Sequence, residues 1–178
     1  MIKTFQYSLE GEESQRLIFR KLETADFNTW LEFCQHPDSL KYIWLTESTD
    51  PKVRCEKFFE RVFNRYEKGL GGMNVLIDKN SQEFIGQCGL LIHTVDGVEE
   101  LEIGYSLMPA ARGKGYATEA ARKCKEFAFN NHFRNSLISI IHIENASSAK
   151  VALNNGMILE KRTFYNNSDV NIYRIHKD

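Results

Sequence analysis

The chain has 178 residues, 42% of them hydrophobic and 26% charged, with a formal net charge of −1. That balance excludes a disordered chain, suits a single domain over residues 1–178 with a sizeable core, and excludes a global electrostatic hold on nucleic acid or an anionic membrane. No apolar run approaches the roughly 18 residues that span a bilayer, and the opening MIKTFQYSLEGEESQ lacks the apolar core of a signal peptide, so a cytoplasmic chain is expected.

Residues 1–15 are polar and glutamate-bearing, which suits a loosely held lead-in or an extra edge strand. From Arg16 to Leu22 the chain alternates, Leu17 and Phe19 against Ile18 and Arg20, and predicts a first strand. Thr24 is a good N-cap, and Phe27, Trp30, Leu31 and Cys34 follow at helical spacing, so a helix is expected that ends before Pro37. Asp50-Pro51 starts a second helix, in which Cys55, Phe58, Phe59, Val62 and Tyr66 form an apolar stripe that reads as core; Gly69 to Gly72 close it. The four cysteines, Cys34, Cys55, Cys88 and Cys124, are far apart without a Cys-x-x-Cys, which indicates reduced thiols and no metal.

Asn74 to Asp78, a turn over Asp78–Ser81 and Phe84 to His93 read as a β-hairpin, and Asp96-Gly97 signals a second one leading into a strand at Glu99–Leu107. In that strand Leu101, Ile103, Tyr105 and Leu107 alternate with Glu102, Gly104 and Ser106 until Pro109 stops the ladder. A glycine-rich turn follows, Arg112-Gly113-Lys114-Gly115-Tyr116-Ala117, and behind it Ala117, Ala120, Ala121, Cys124 and Ala128 recur at helical spacing. Ser136–His142 is apolar on both faces, as a buried central strand should be. Asn145 to Ser148 lead into a short helix carrying Ala149, Ala152 and Leu153, which Asn155-Gly156 ends. Ile158 to Tyr165, an Asn166-Asn167 turn and Val170 to His176 make a closing hairpin. The order predicts one mixed α/β domain with about four helices.

A strand feeding a glycine turn that opens a helix presents unpartnered N–H groups and the positive end of the helix dipole. Gly113 and Gly115 let an anion reach the backbone, and Arg112 and Lys114 add formal charge, so the turn has the design of a phosphate cradle. It is not a Walker A loop, since Gly113-Lys114-Gly115-Tyr116 does not supply Gly-Lys-Ser/Thr. A dinucleotide fingerprint is disfavoured by Thr118 at its sixth position and by the antiparallel strands upstream. The segment resembles motif A of the GCN5-related N-acetyltransferases (GNAT), and Glu102 to Tyr105 with Gly113 to Ala120 looks like the ribosomal-protein-alanine acetyltransferase (RimJ/RimL-like) branch. The family's Gln/Arg position falls on Ala110, with arginine two residues later at Arg112. Asn145-x-x-Ser148 with Asn155-Gly156-Met157 resembles the family's motif B, Met157 standing where Phe is usual; on its own the segment reads rather as an N-cap, by Asn145 or Ser147.

The resemblance implies a mostly antiparallel sheet splayed between two parallel strands, and acetyl-CoA as cosubstrate in the gap between them. Ile103, Tyr105 and Leu107 would line the pantetheine, the backbone from Arg112 through Gly113, Lys114, Gly115 and Tyr116 to Ala117 would hold the diphosphate, and Asn145 would bond the pantetheine amide. The first two helices would flank an amine acceptor, giving Tyr42 and Trp44 a reading as groove wall. An amine attacking directly needs only two proton transfers. Glu102 is the candidate base, with its acidity to be lowered by Glu100 on the same strand face, and Glu100 in reserve. Ser148 is the candidate to hydrogen-bond the CoA sulfur, its alternative being a helix first-turn hydroxyl. His93 at a strand end reads as structural. The expectation is an N-acetyltransferase acting on a protein N-terminus or a small amine, as a monomer or homodimer, with a non-catalytic acyl-CoA sensor as the alternative.

Overall fold

The computed structural model describes residues 7–43 and 48–177. Seven strands form one sheet: β1 (Leu17–Lys21), β2 (Gly71–Asp78), β3 (Phe84–Val95), β4 (Val98–Leu107), β5 (Ser136–His142), β6 (Ile158–Tyr165) and β7 (Ser168–His176), in the order β1-β2-β3-β4-β5-β7-β6. Every neighbouring pair is antiparallel except β4 and β5, which run parallel and meet at a single residue pair, Glu102 with Ile138. The sheet is therefore splayed at its middle. The helices are α1 (Phe27–Gln35), α2 (Pro51–Lys68), α3 (Tyr116–Asn130) and α4 (Ala146–Asn154). No helix among the described residues is long and apolar enough to cross a membrane.

The sheet separates two apolar clusters. On one side Trp30 and Phe33 of α1 and Phe58, Phe59 and Val62 of α2 pack on Met73 and Val75. On the other, Ala120, Ala121, Cys124 and Ala128 of α3 lie against Cys88, Leu90, Leu101 and Ile103. Small residues on the α3 face let the helix come close to the sheet, which fixes where its N-terminus points. The α2 boundaries follow local chemistry: Asp50 caps it by accepting from Lys52 N at 2.8 Å, and Gly69 ends it at φ +64°.

Three local expectations are corrected. The lead-in is not loosely held over its described part, because Tyr7 and Leu9 are buried in the α3-side core. Thr24 is not an N-cap: it starts a 3-10 turn capped by Glu23 and Asp26, whose carboxylate is claimed by the Arg20 guanidinium at 2.7 and 2.8 Å. Gly71 and Gly72 belong to β2 rather than to the helix end. The turn at Asp96-Gly97 has φ of +50° and +79° and joins Val95 directly opposite Val98, as a two-residue hairpin turn should.

Candidate active site

A cavity of about 890 Å³ opens where β4 and β5 part, a size that suits a cofactor or small-ligand site. Its floor includes Glu102 to Leu107 on β4 and Ser139 to His142 on β5, and α2, α4 and the glycine turn complete the walls. Side chains bridge the widened ladder. The Ser139 hydroxyl donates to the Ile103 carbonyl at 2.9 Å, and the Ile140 amide donates to Glu102 Oε1 at 3.3 Å.

At one end stands the turn before α3. Gly113 and Gly115 have φ of +74° and +82°, a region only glycine enters cheaply. Among the described residues nothing accepts from the main-chain amides of Gly113 through Thr118. A Cβ built on Gly113 would meet no atom within 4 Å, so open space faces the amides. The chain thus presents the free N–H groups and the clearance that a diphosphate needs. Arg112 differs from expectation: its own amide donates to the Pro109 carbonyl at 3.3 Å, and its guanidinium donates to Ser39 Oγ at 2.7 Å and the Leu107 carbonyl at 3.2 Å. The turn is held from behind by Arg16, which donates to the Lys114 carbonyl at 3.0 Å and to Glu119 Oε2 at 2.6 Å and lies over the Tyr116 ring. The Tyr116 hydroxyl donates to Asp78 at 2.8 Å. The Tyr116 side chain is thereby held on Asp78 and Arg16, and of the turn it is Gly113, Gly115, Ala117 and Thr118 that line the cavity.

At the other end is a chain of three titratable groups. His93 Nε2 lies 2.9 Å from Glu102 Oε2, and the Tyr165 hydroxyl shares a 2.8 Å hydrogen bond with His93 Nδ1. An ionised carboxylate only accepts, so Nε2 carries the proton; in the neutral ring Nδ1 then accepts from Tyr165. Burial raises the Tyr165 pKa, and the Glu102 charge adds to it, so the phenol stays protonated. Glu100 cannot stand in for Glu102, because the Arg174 guanidinium holds it with two hydrogen bonds of 2.6 and 3.0 Å. The repulsion expected between the two carboxylates is answered by a different partner on each. His93, read from the sequence as structural, is brought onto Glu102. The two-residue turn at Asp96-Gly97 was the available sign: it sets Glu100 opposite His93 and Glu102 opposite Leu91, so His93 and Glu102 share a sheet face as diagonal neighbours.

Motif B sits between the two ends. Asn145 Oδ1 accepts from Ser148 N at 3.2 Å, so the N-cap reading holds, and the amide nitrogen of the same side chain is left over for a ligand. The Ser148 hydroxyl lines the cavity and has no hydrogen-bond partner among the described residues. Tyr105 lies between β4 and α4, its hydroxyl donating to the Ser148 carbonyl at 2.7 Å, and deep burial pushes its pKa far up. Asn155 donates to the Thr118 carbonyl at 3.2 Å and so ties the end of α4 to the first turn of α3. Tyr42 lines the cavity as expected of a groove wall, its hydroxyl donating to the Glu144 carbonyl at 3.3 Å; Trp44 lies outside the described residues. Glu102, Ile103, Tyr105, Leu107, Arg112, Gly113, Gly115, Ala117, Asn145 and Ser148 therefore meet in one cavity.

Comparison with known proteins agrees with this geometry. The model of the acetyltransferase (GNAT) domain matches residues 16–158. YkkB of Bacillus subtilis is 34% identical over 110 residues, which span 61% of this chain and 64% of that protein, just under two thirds of its length. The crystal structure of an acetyltransferase from Agrobacterium tumefaciens superposes with a TM-score of 0.78 at 25% identity, covering 96% of both chains. RimJ of Mycobacterium smegmatis, solved in complex with CoA-disulfide, shares the fold with a TM-score of 0.74 at 20% identity, over 90% of this chain and 81% of that one.

Proposed function

The chain belongs to the GNAT acetyltransferase family, and from that premise we propose that it is an acetyl-CoA-dependent N-acetyltransferase whose acceptor is a primary amine, bound together with the cosubstrate. The observation that carries this reading is the pairing, in one cavity, of a free-amide turn at Gly113–Thr118 with the Glu102–His93–Tyr165 chain. The amides and the clearance at Gly113 fit a diphosphate. Ile103, Tyr105 and Leu107 would border the pantetheine arm, with the Asn145 amide nitrogen beside it. Bound acetyl-CoA would supply the acetyl group as an activated thioester.

The chain's own residues have three tasks. The amine arrives as an ammonium and is not nucleophilic until it loses a proton, which Glu102 takes, directly or through one water. A carboxylate offers about four lone-pair sites, and His93 and Ile140 occupy only two of them. His93, itself held by Tyr165, fixes the carboxylate's direction. The Ser148 hydroxyl is free to donate toward a leaving thiolate. No nucleophile of the chain's own is needed, and the four buried cysteines are left out of the chemistry.

Titrating acetyl-CoA, CoA and NAD(H) by thermal shift, and then measuring thiol release over a panel of amines and peptide N-termini, tests the reading. Stabilisation by acetyl-CoA and CoA but not NAD(H), followed by amine-dependent thiol release, is the expected result. Stabilisation without release from any acceptor would make the protein an acyl-CoA sensor instead.

A further inference from the structure

The wall of the cavity that faces Glu102 is cationic. Arg61 and Arg65 project from α2, one helical turn apart, and both line the cavity. Arg65 is committed to the protein, its Nη2 donating to the carbonyls of Leu70 at 3.1 Å and Ile92 at 2.5 Å, while its buried Nε has no partner. Arg61 is different. Among the described residues it makes no hydrogen bond and no ion pair, and it is an exposed residue on the cavity wall. The two guanidiniums repel each other, and like charges at i, i+4 weaken a helix. Among the described residues the carboxylate that acts on Arg65 is Glu102, which is already engaged by His93, and the group acting on Arg61 is the uncharged Tyr165. An arginine on a cavity wall, set beside a second guanidinium and left without an anion, offers its planar fork to one.

We propose that the acceptor is an amino carboxylate, an amine that carries its own carboxylate, and that Arg61 binds that carboxylate while the amine lies at Glu102. This deepens the acetyltransferase reading above and rests on it. The same charge pattern selects against diamines and polyamines, whose second ammonium would be set against Arg61 and Arg65. Arg65 adds to the positive field, while its Nη2 is held on the carbonyls of Leu70 and Ile92.

Amino acids and their decarboxylated counterparts, such as phenylalanine with phenethylamine and lysine with cadaverine, should be compared as acceptors by thiol release. The carboxylate member of each pair is expected to be preferred at least tenfold in kcat/KM. Arg61→Gln should collapse that ratio toward one, chiefly through a rise in acceptor KM of about ten- to a hundredfold, with the Kd for acetyl-CoA held within twofold. Arg61→Lys should recover part of the preference. Equal or better use of the decarboxylated amines, or a preference that survives Arg61→Gln, overturns the proposal while leaving the acetyltransferase reading intact. A readout independent of turnover separates the two: N-acetylphenylalanine should raise the Tm of the wild type and not of Arg61→Gln. Equal shifts in both proteins, or none in the wild type, also overturn it.

Discussion

Replacing Glu102 by Gln tests the proton-transfer step with little disturbance of the fold. The glutamine oxygen can still accept from one of the two donors at this position, Ile140 N at 3.3 Å and His93 Nε2 at 2.9 Å. The histidine can meet the new NH₂ by changing tautomer, donating to Tyr165 instead. What is lost is the base. General-base removal costs about 10² to 10⁴ in rate, or about 3 to 5 kcal/mol in the barrier at 1.36 kcal/mol per tenfold. Once the enzyme cannot deprotonate its acceptor, it must capture the free amine, so the deficit depends on acceptor and pH. For a lysine-type amine of pKa about 10.4 the free base at pH 7 is below roughly one part in a thousand; for a peptide α-amine of pKa about 8 it is near one part in ten. The deficit in kcat/KM should therefore be far larger for the first acceptor. It should shrink about tenfold per pH unit until the acceptor's own pKa is reached. Thiol release followed from pH 6.5 to 10 with both acceptors measures this. A deficit that is flat with pH and equal for the two amines would refute the reasoning, leaving Glu102 a structural role.

Other perturbations report on other parts of the site. His93→Leu removes the donor that holds Glu102. Losing a hydrogen bond to a charged group costs about 1.5–3 kcal/mol, so kcat should fall about ten- to a hundredfold while thermal shift shows acetyl-CoA binding unchanged. Gly113→Ala places a methyl in the open space before the free amides, at a φ of +74°. It should raise the Kd for CoA at least tenfold by calorimetry and cost about 1–2 kcal/mol in stability. Glu119→Gln removes a charge that accepts from Ser14 Oγ and Arg16 N, both at 2.7 Å, and Arg16 Nε at 2.6 Å. Burial by itself would raise the Glu119 pKa, but these bonds outweigh it and hold it below its ordinary 4.5. Because the folded value is the lower one, the stabilisation is fully present above about pH 4.5 and is lost as pH falls through the depressed value. Urea denaturation should show the variant about 1–2 kcal/mol less stable at pH 7, with the two proteins converging below pH 4; a constant gap across that range would contradict the assignment.

Local periodicity carried most of the fold. The alternation at Leu101–Leu107 and the alanine stripe on α3 each turn one apolar face inward, and the doubly apolar run at Ser136–His142 is buried on both faces, because strand and helix periods set which residues share a face. The free amides at Gly113–Thr118 were legible for a similar reason: glycines before a helix leave its first donors unpaired whatever surrounds them. Where a call for a neighbour was needed, single-residue reasoning failed. Glu100 and Glu102 look alike along the strand, yet Arg174 on β7 removes the first from the chemistry and His93 on β3 equips the second.

The amino-acid order by itself thus determined the elements and the turn that can receive a diphosphate, since each depends on groups within a few residues of one another. Only tertiary structure decided which carboxylate keeps its reactivity, which histidine orients it and which arginine is left without an anion. Those assignments depend on strand register and on the packing of α2 against β2, and electrostatic partnership is set by distance in space, which residue spacing along the chain does not encode.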